Sequence, residues 1–216
     1  MHYCMSDLHG HLEAFGAMLQ KIRFSPEDTL YVLGDVIDRG NDGVPLLQEL
    51  LKMPNVHLIL GNHEQMCLDT MGRQNRVGAR ALWLSNGGGP TFAGLMYSRT
   101  ASQRRRLLEA MAALPDRLDI EVAGRAFHLV HGCPGETTHD RIWGRPNPNA
   151  PPPLPGRTVI VGHTPTGHFT GNHGEPYSIW HGNGIIDIDC GCGDNDPNAR
   201  LACLRLEDMA EFYVNV

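Results

Sequence analysis

The chain has 216 residues, 41% of them apolar and 19% charged, and a formal net charge of −6. That is length enough to bury a core without cross-links and the composition of an ordinary globular enzyme, so a single domain over residues 1–216 is expected. The net acidity argues against a nucleic-acid binder, and the sequence shows neither an apolar run of the ~20 residues a membrane span needs nor a signal peptide, so the expected location is the cytoplasm.

Residues 3–6 read as a first strand that ends in Asp7. Leu12, Phe15, Leu19 and Ile22 then recur at helical spacing until Ser25-Pro26 stops the helix. Residues 29–33 form a buried strand ending at Gly34-Asp35, and Val44, Leu47, Leu50 and Leu51 mark a second helix closed by Pro54. A third strand, residues 56–60, ends at Gly61-Asn62-His63-Glu64. This β-α-β-α-β order predicts an α/β fold with parallel strands and crossover helices.

Residues 65–114 look mostly helical, with a break at Asn86-Gly87-Gly88-Gly89-Pro90. The cluster Arg104-Arg105-Arg106 reads as the solvated face of an amphipathic helix. Residues 118–122 and 126–130 flank Ala123-Gly124-Arg125 as a hairpin. Six prolines in residues 146–155 predict a stiff, irregular loop. Residues 158–161, 177–180, 185–188 and 201–206 are further strands, with a tight turn at His181-Gly182-Asn183-Gly184. The six cysteines are expected as free thiols, because nothing suggests export and Cys190-Gly191-Cys192 is too tightly spaced for a zinc hook.

The polar residues cluster where strands end. Asp7-Leu8-His9, Gly34-Asp35-Val36-Ile37-Asp38-Arg39-Gly40 and Gly61-Asn62-His63-Glu64 follow the first three strands, and His131 and His163 end two later ones. In open α/β sheets the carboxyl ends of strands form the ligand crevice. A set of Asp, His, Asp, Asn, His and His suits Mn²⁺, Fe²⁺ or Zn²⁺, and six donors are too many for one tetrahedral zinc. Two ions roughly 3.5–4 Å apart, sharing a carboxylate, are the better fit, and such a pair clamps the oxygens of an in-line displacement. Set against Asp7, Asp35 and one hydroxide, two divalent ions leave one positive charge in surplus, which favours an anionic substrate. Arg39 adds a planar fork suited to phosphate. Each motif alone is a common chance pattern; the weight lies in five occurring in order, each after an apolar strand.

As a set, these motifs resemble the signature of the PPP-type phosphoprotein phosphatases within the calcineurin-like metallophosphoesterases. The likeness runs from Asp7 to about Cys203, and Gly61-Asn62-His63-Glu64-Gln65-Met66 is most similar to small phosphatases of bacteria and phage, including the phage lambda type. The resemblance implies a four-layer sandwich, two mixed β-sheets flanked by helices, with the metal site at the C-terminal ends of strands. It implies Asp7, His9 and Asp35 on one ion, and Asp35, Asn62, His131 and His163 on a second. It further implies direct attack of a metal-bound hydroxide, His63 as proton donor oriented by Asp38, and Arg39 and Arg145 as phosphate contacts. Manganese is the expected metal, with Fe²⁺ and Zn²⁺ as alternatives. Two departures remove no ligand: His131-Gly132-Cys133 replaces His-Ala-Gly or His-Ala-Asp, and Leu60 stands where relatives often carry arginine, which bears on anion binding and substrate range.

The implied function is a monomeric protein serine/threonine phosphatase, with dual specificity open, acting on a phosphoprotein or phosphopeptide and on neither nucleic acid nor membrane. Its alternative is a symmetrical dinucleoside tetraphosphate hydrolase with the same site. A third reading, a catalytically dead binding module, predicts a lost ligand or acid, and none is missing. His11, His168, His173 and His181 are expected in exposed or loop packing, with a place at the rim as the functional alternative. His2, His57, His128 and His139 take no role. Asn86-Gly87-Gly88 is expected as a plain turn, with a substrate loop as its alternative.

Overall fold

The computed structural model describes residues 1–72, 76–170 and 174–216. In chain order the elements are β1 (His2–Met5), α1 (Leu12–Ile22), β2 (Thr29–Val32), α2 (Gly43–Leu50), β3 (Val56–Leu58), α3 (Asn62–Met71), α4 (Ala79–Ser85), α5 (Gly89–Tyr97) and α6 (Ala101–Ala112). There follow β4 (Arg117–Val122), β5 (Arg125–Val130), α7 (Thr138–Trp143), β6 (Thr158–Val161), α8 (Gly167–Thr170), β7 (Trp180–His181), β8 (Ile185–Asp187), β9 (Arg200–Arg205) and β10 (Glu211–Asn215). They build two five-stranded sheets, ordered β10-β9-β1-β2-β3 and β4-β5-β6-β8-β7. Both are mixed: β1, β2 and β3 run parallel with β9 antiparallel to β1, and β5, β6 and β8 run parallel with β4 and β7 antiparallel at the edges.

The period-2 alternation of the strands decides which side faces which layer. On β1, Cys4 points inward to a core shared with Phe127, Leu129, Ile160, Ile186, Ala202 and Leu204, drawn from both sheets. Its neighbours Tyr3 and Met5 face outward and pack with Phe15 and Met18 of α1 and Leu46, Leu47 and Leu50 of α2. Phe127 and Leu129 are fully buried between the sheets. Truncating Phe127 to alanine there would cost about 3–5 kcal/mol, because the surroundings cannot collapse onto the void. The outer face of the second sheet is small: Val130, Val159, Val161 and Ile185 pack against Cys133, Leu154 and Trp180. Leu154 belongs to the Pro-rich loop, which is irregular as expected and serves as a lid on this sheet.

The sequence reading holds for the first three strands and their helices, for the four helices of residues 62–112, and for the hairpin. In its turn Ala123 and Gly124 both adopt positive φ, 50° and 74°, as a two-residue connection matched to strand twist requires. Arg105 and Arg106 are exposed on α6. All six cysteines are free, and all but Cys133 are buried. Two expectations change. The strand anticipated at 177–180 contracts to Trp180–His181, because the N–H groups of Tyr177 and Ile179 go to Asn198 O and the Tyr213 hydroxyl, away from any ladder. A strand missed in the reading, β10, pairs along all of its length with β9. Among the described residues no helix is long and apolar enough to cross a membrane.

Candidate metal centre

The ends of β1, β2, β3, β5 and β6 deliver Asp7 and His9, Asp35, Asn62 and His63, His131, and His163 to one crevice. Among the described residues nine non-glycine residues have positive φ, and six belong to the candidate site: Asp7, His9, Asp35, Asp38, Arg39 and His163. Asp and His tolerate this region better than most residues, yet each position still stores about 1–3 kcal/mol that surrounding contacts must offset. The chief such contact is Glu64, fully buried in the first turn of α3. Its Oε2 accepts from Asp35 N (2.9 Å) and Gly61 N (3.1 Å), and its Oε1 from Val36 N (2.9 Å) and Ile37 N (3.3 Å). One carboxylate thereby ties the loop after β2 to the start of α3. Gly61 is required there, since a Cβ would run into the Asp35 carboxylate.

Asp35 is the centre of the cluster. Its Oδ2 lies 3.4 Å from His131 Nε2, 3.7 Å from His9 Nε2 and 3.8 Å from His63 Nε2. His9 Nδ1 bonds Ile37 O (3.0 Å) and His131 Nδ1 bonds Leu33 O (2.6 Å), so both rings present Nε2 to the crevice, the orientation a metal-ligating imidazole takes from its outer partner. Asn62 Oδ1 approaches His131 Nε2 at 2.9 Å. Asp7 Oδ2 is held by the Ser6 hydroxyl and by His163 N (3.0 Å), while its Oδ1 stays 3.9 Å from His9 Nε2. His163 Nε2 is buried with no hydrogen-bond partner among the described residues.

The protons follow the charges. The imidazoles of His131, His63 and His9 hold Asp35 well below the usual carboxylate range, although its burial opposes this. Burial pushes Asp7 up to about 6 and Glu64 up to about 7. Burial works against charge on His131 too, but Asp35 overrides it and raises the ring to about 10. His163, desolvated and beside His131, falls to about 3 and presents a neutral ring.

Beside this cluster a buried relay runs away from the crevice. His63 Nδ1 pairs with Asp38 Oδ2 at 2.7 Å, and Trp83 Nε1 donates to the same oxygen at 2.7 Å. Asp38 N donates to Thr91 Oγ1 at 2.9 Å. Burial lowers the basicity of His63, but Asp35 and Asp38 together outweigh it and raise the pKa above the usual value.

Divalent cations fit these donors. Among the described residues two groups have ligand atoms within 4.8 Å of one another, His9/Asp35/His63 and Asp35/His131/His163. Asp35 is common to both, as a carboxylate shared by two ions requires. The buried His163 Nε2, without a hydrogen-bond partner among the described residues, suits an electrophile such as a metal ion. Over the cluster lies a cavity of about 220 Å³ lined by Asp7, Asp35, Asn62, His63 and His163, with Arg39 and Arg145 among its walls.

Residues 3–189 match the family model of the calcineurin-like phosphoesterases. The chain belongs to this family. Its fold is that of the family: a metallophosphoesterase from Sphaerobacter thermophilus, 21% identical, superposes with a TM-score of 0.63 over all of this chain and 87% of the other. Serine/threonine-protein phosphatase 1 of Salmonella typhimurium is 32% identical over 60% of this chain and 55% of its own length. A symmetrical bis(5'-nucleosyl)-tetraphosphatase of an Acidovorax species is 42% identical over 60% of this chain and 42% of its own length. The chain thus spans about half the length of the curated relatives it matches.

All ten candidate residues of the phosphoesterase are found at or beside this crevice, with Asp38 behind it and fully buried. By distance alone His63 is as close to Asp35 as His9 is; its bond to Asp38 is what sets it apart. Arg39 is not a free fork, since its Nη1 donates to Asp194 Oδ1 at 2.8 Å. Arg145 Nη1 donates to Thr164 Oγ1 at 3.1 Å. Asp189 and Asp194 join the two counted carboxylates in the cavity lining, offset by Arg39 and Arg145, and burial keeps Asp189 well above the usual carboxylate range, so the positive surplus stands. Asn86 lines the cavity and Gly87 O accepts from Arg39 N (2.9 Å), so the turn after α4 is also a wall. His168 sits at the rim, whereas His181 pairs with Glu211 (2.7 Å) and His11 stands at the N-cap position of α1; His173 lies outside the described residues. Leu60 is buried and faces a separate groove of about 860 Å³ between α3 and α6, away from the donors. The reading missed Trp83, Thr91, Asp189 and Asp194. Only Glu64 carried a sequence signal, as the third residue of a helix opening at Gly61.

Proposed function

We propose that the protein is a serine/threonine phosphatase that hydrolyses phosphomonoesters, with phosphotyrosine as a second accepted class. The observation that carries this reading is the buried His63–Asp38–Trp83 relay facing the donor cluster. A seryl or threonyl alkoxide is a far more basic leaving group than a nucleoside diphosphate, so its departure needs a proton. In this reading His63, kept protonated by Asp35 and Asp38, donates that proton, and Trp83 fixes Asp38 for the purpose. Asp7, His9 and Asp35 would hold one divalent ion, and Asp35, Asn62, His131 and His163 the other, manganese being the first choice and Fe²⁺ or Zn²⁺ the alternatives. Such a pair supplies Lewis acidity and an acidified water. Arg39 and Arg145 receive the phosphate oxygens, and the cavity of about 220 Å³ suits one phosphoryl group better than a dinucleotide. The reading takes the partner to be a phosphoprotein, met by a monomer in the cytoplasm.

The second reading, hydrolysis of a symmetrical dinucleoside tetraphosphate, is favoured by the Acidovorax relative and by Trp143 at the cavity wall, a surface on which a base could stack. Manganese-loaded protein given a phosphoserine/phosphothreonine peptide and diadenosine tetraphosphate in parallel separates the two. Faster phosphate release from the peptide is expected; faster conversion of the dinucleotide to ADP would overturn the phosphatase reading in favour of the second.

A further inference from the structure

Asp194 lies in the loop between β8 and β9, beyond every motif that supplies a metal donor. Its carboxylate reaches across the cavity mouth to Arg39, Oδ1 to Nη1 at 2.8 Å, and both side chains are about one-third exposed, 33% and 35%. The loop that carries it is built onto the metal centre. Asp194 N donates to Gly191 O (2.8 Å), Gly191 has φ 77°, and Gly193 lies so close to the His9 ring that a Cβ would run into it. Arg39 is therefore held at both ends, its backbone by Gly87 O and its guanidinium by a loop registered on a donor histidine.

Two opposite effects can follow from such a pair. The Asp194 charge repels an incoming phosphate, or its hydrogen bond fixes the guanidinium where phosphate arrives. At this exposure the Coulombic effect is screened by water and salt. Ordering a long side chain, in contrast, must be offset each time substrate binds, unless the protein has already done it. Arginine has five N–H donors, so the bond to Asp194 leaves a donor edge open. Orientation outweighs repulsion here.

We propose that Asp194 is a positioning residue for phosphate binding: it pre-orders the Arg39 guanidinium at the mouth of the metal centre. This rests on the reading of Arg39 as a phosphate contact. The test measures the dissociation constant of inorganic phosphate from the manganese-loaded protein by calorimetry, together with KM and kcat for p-nitrophenyl phosphate. Asp194→Ala is expected to weaken phosphate and raise KM about three- to tenfold, with kcat within about twofold. Asp194→Asn, which keeps an oxygen acceptor in place, should stay within about twofold of the parent in both. Adding Asp194→Ala to Arg39→Ala should change nothing further. Tighter or unchanged phosphate binding in Asp194→Ala, or effects that multiply in the double variant, would overturn the proposal. If Arg39→Ala itself leaves phosphate binding intact, the assignment of Arg39 fails and the proposal with it. If Arg39→Ala weakens binding and Asp194→Ala does not, only the proposal fails.

Discussion

The two sheets feed the same crevice in different ways. The first supplies seven of the ten candidate residues, Asp7, His9, Asp35, Asp38, Arg39, Asn62 and His63, from three strand ends within residues 7–63. Here the backbone is strained at five of the seven, and one buried carboxylate, Glu64, accepts four N–H groups to hold it. The second sheet supplies His131, His163 and, past α7, Arg145, on longer irregular connections braced by a partly exposed ion pair, Arg141–Asp116. The contrast teaches a division of labour: a rigid half that would fix most donors, the proton relay and Arg39, and a looser half that would complete the donor set and add Arg145.

The sharpest break in the rigid half is Asp35→Asn. Because Oδ2 faces three imidazole nitrogens at 3.4–3.8 Å, the substitution removes the charge that both donor groups share. Loss of both ions by elemental analysis and a fall in activity beyond about 10³-fold are expected, well past the 10–100-fold of an outer partner. Retention of two ions would end the idea that Asp35 is shared. His63→Asn comes next. It should keep its metal while kcat on phosphoserine falls about 10²–10⁴-fold, and unimpaired turnover of that substrate would remove His63 from the proton-donor role.

The same contrast explains what could be read in advance. Strands and donors of the rigid half were legible because each apolar run stops at a short motif whose residue types are dictated by metal chemistry. The supports other than Glu64 were not, because they meet only in space. Trp83 looks like any core aromatic until it is seen 2.7 Å from Asp38, 45 residues away. Thr91 sits past a Gly-Gly-Gly-Pro break that reads as a loop. Asp189 and Asp194 both follow β8, whose end carries no recognisable pattern. The edge strand β10 was missed because Glu211-Phe212-Tyr213-Val214-Asn215 is half-buried along its middle and exposed at both ends.

Trp83→Phe would sharpen the picture of the relay. Phenylalanine keeps most of the buried volume but removes the indole N–H, leaving Asp38 Oδ2 with His63 alone. A loss of about tenfold in kcat with metal content unchanged is expected, within the range for partners that orient a functional group. A kcat equal to the parent's would mean that Asp38 holds His63 without help.

The smallest effect belongs to the looser half, and it falls on stability. Arg141 Nη2 meets Asp116 Oδ2 at 2.7 Å, with side-chain exposures of 11% and 18%, and Arg141 O accepts from Gly132 N at 2.7 Å, next to His131. Burial works against the Asp116 charge, but its bonds to Arg141 and Thr138 hold the pKa below the ordinary 3.8. A carboxyl depressed in the folded state contributes stability that is fully present above its unfolded value and is lost as pH falls through the folded one. Asp116→Asn should therefore cost about 1–2 kcal/mol at neutral pH, discounted for partial exposure. That corresponds to a Tm lower by about 2–8 °C in a chain of this size. The gap between the variant and the parent should begin to narrow as the pH drops below about 4 and should close only below the depressed folded-state pKa, where the parent loses the same charge. Thermal unfolding at pH 7 and pH 3 checks both statements. A gap that does not narrow at all from pH 7 to pH 3 would show that the Asp116 geometry, and not its charge, braces α7, and the two halves of the site would then be held by the same means.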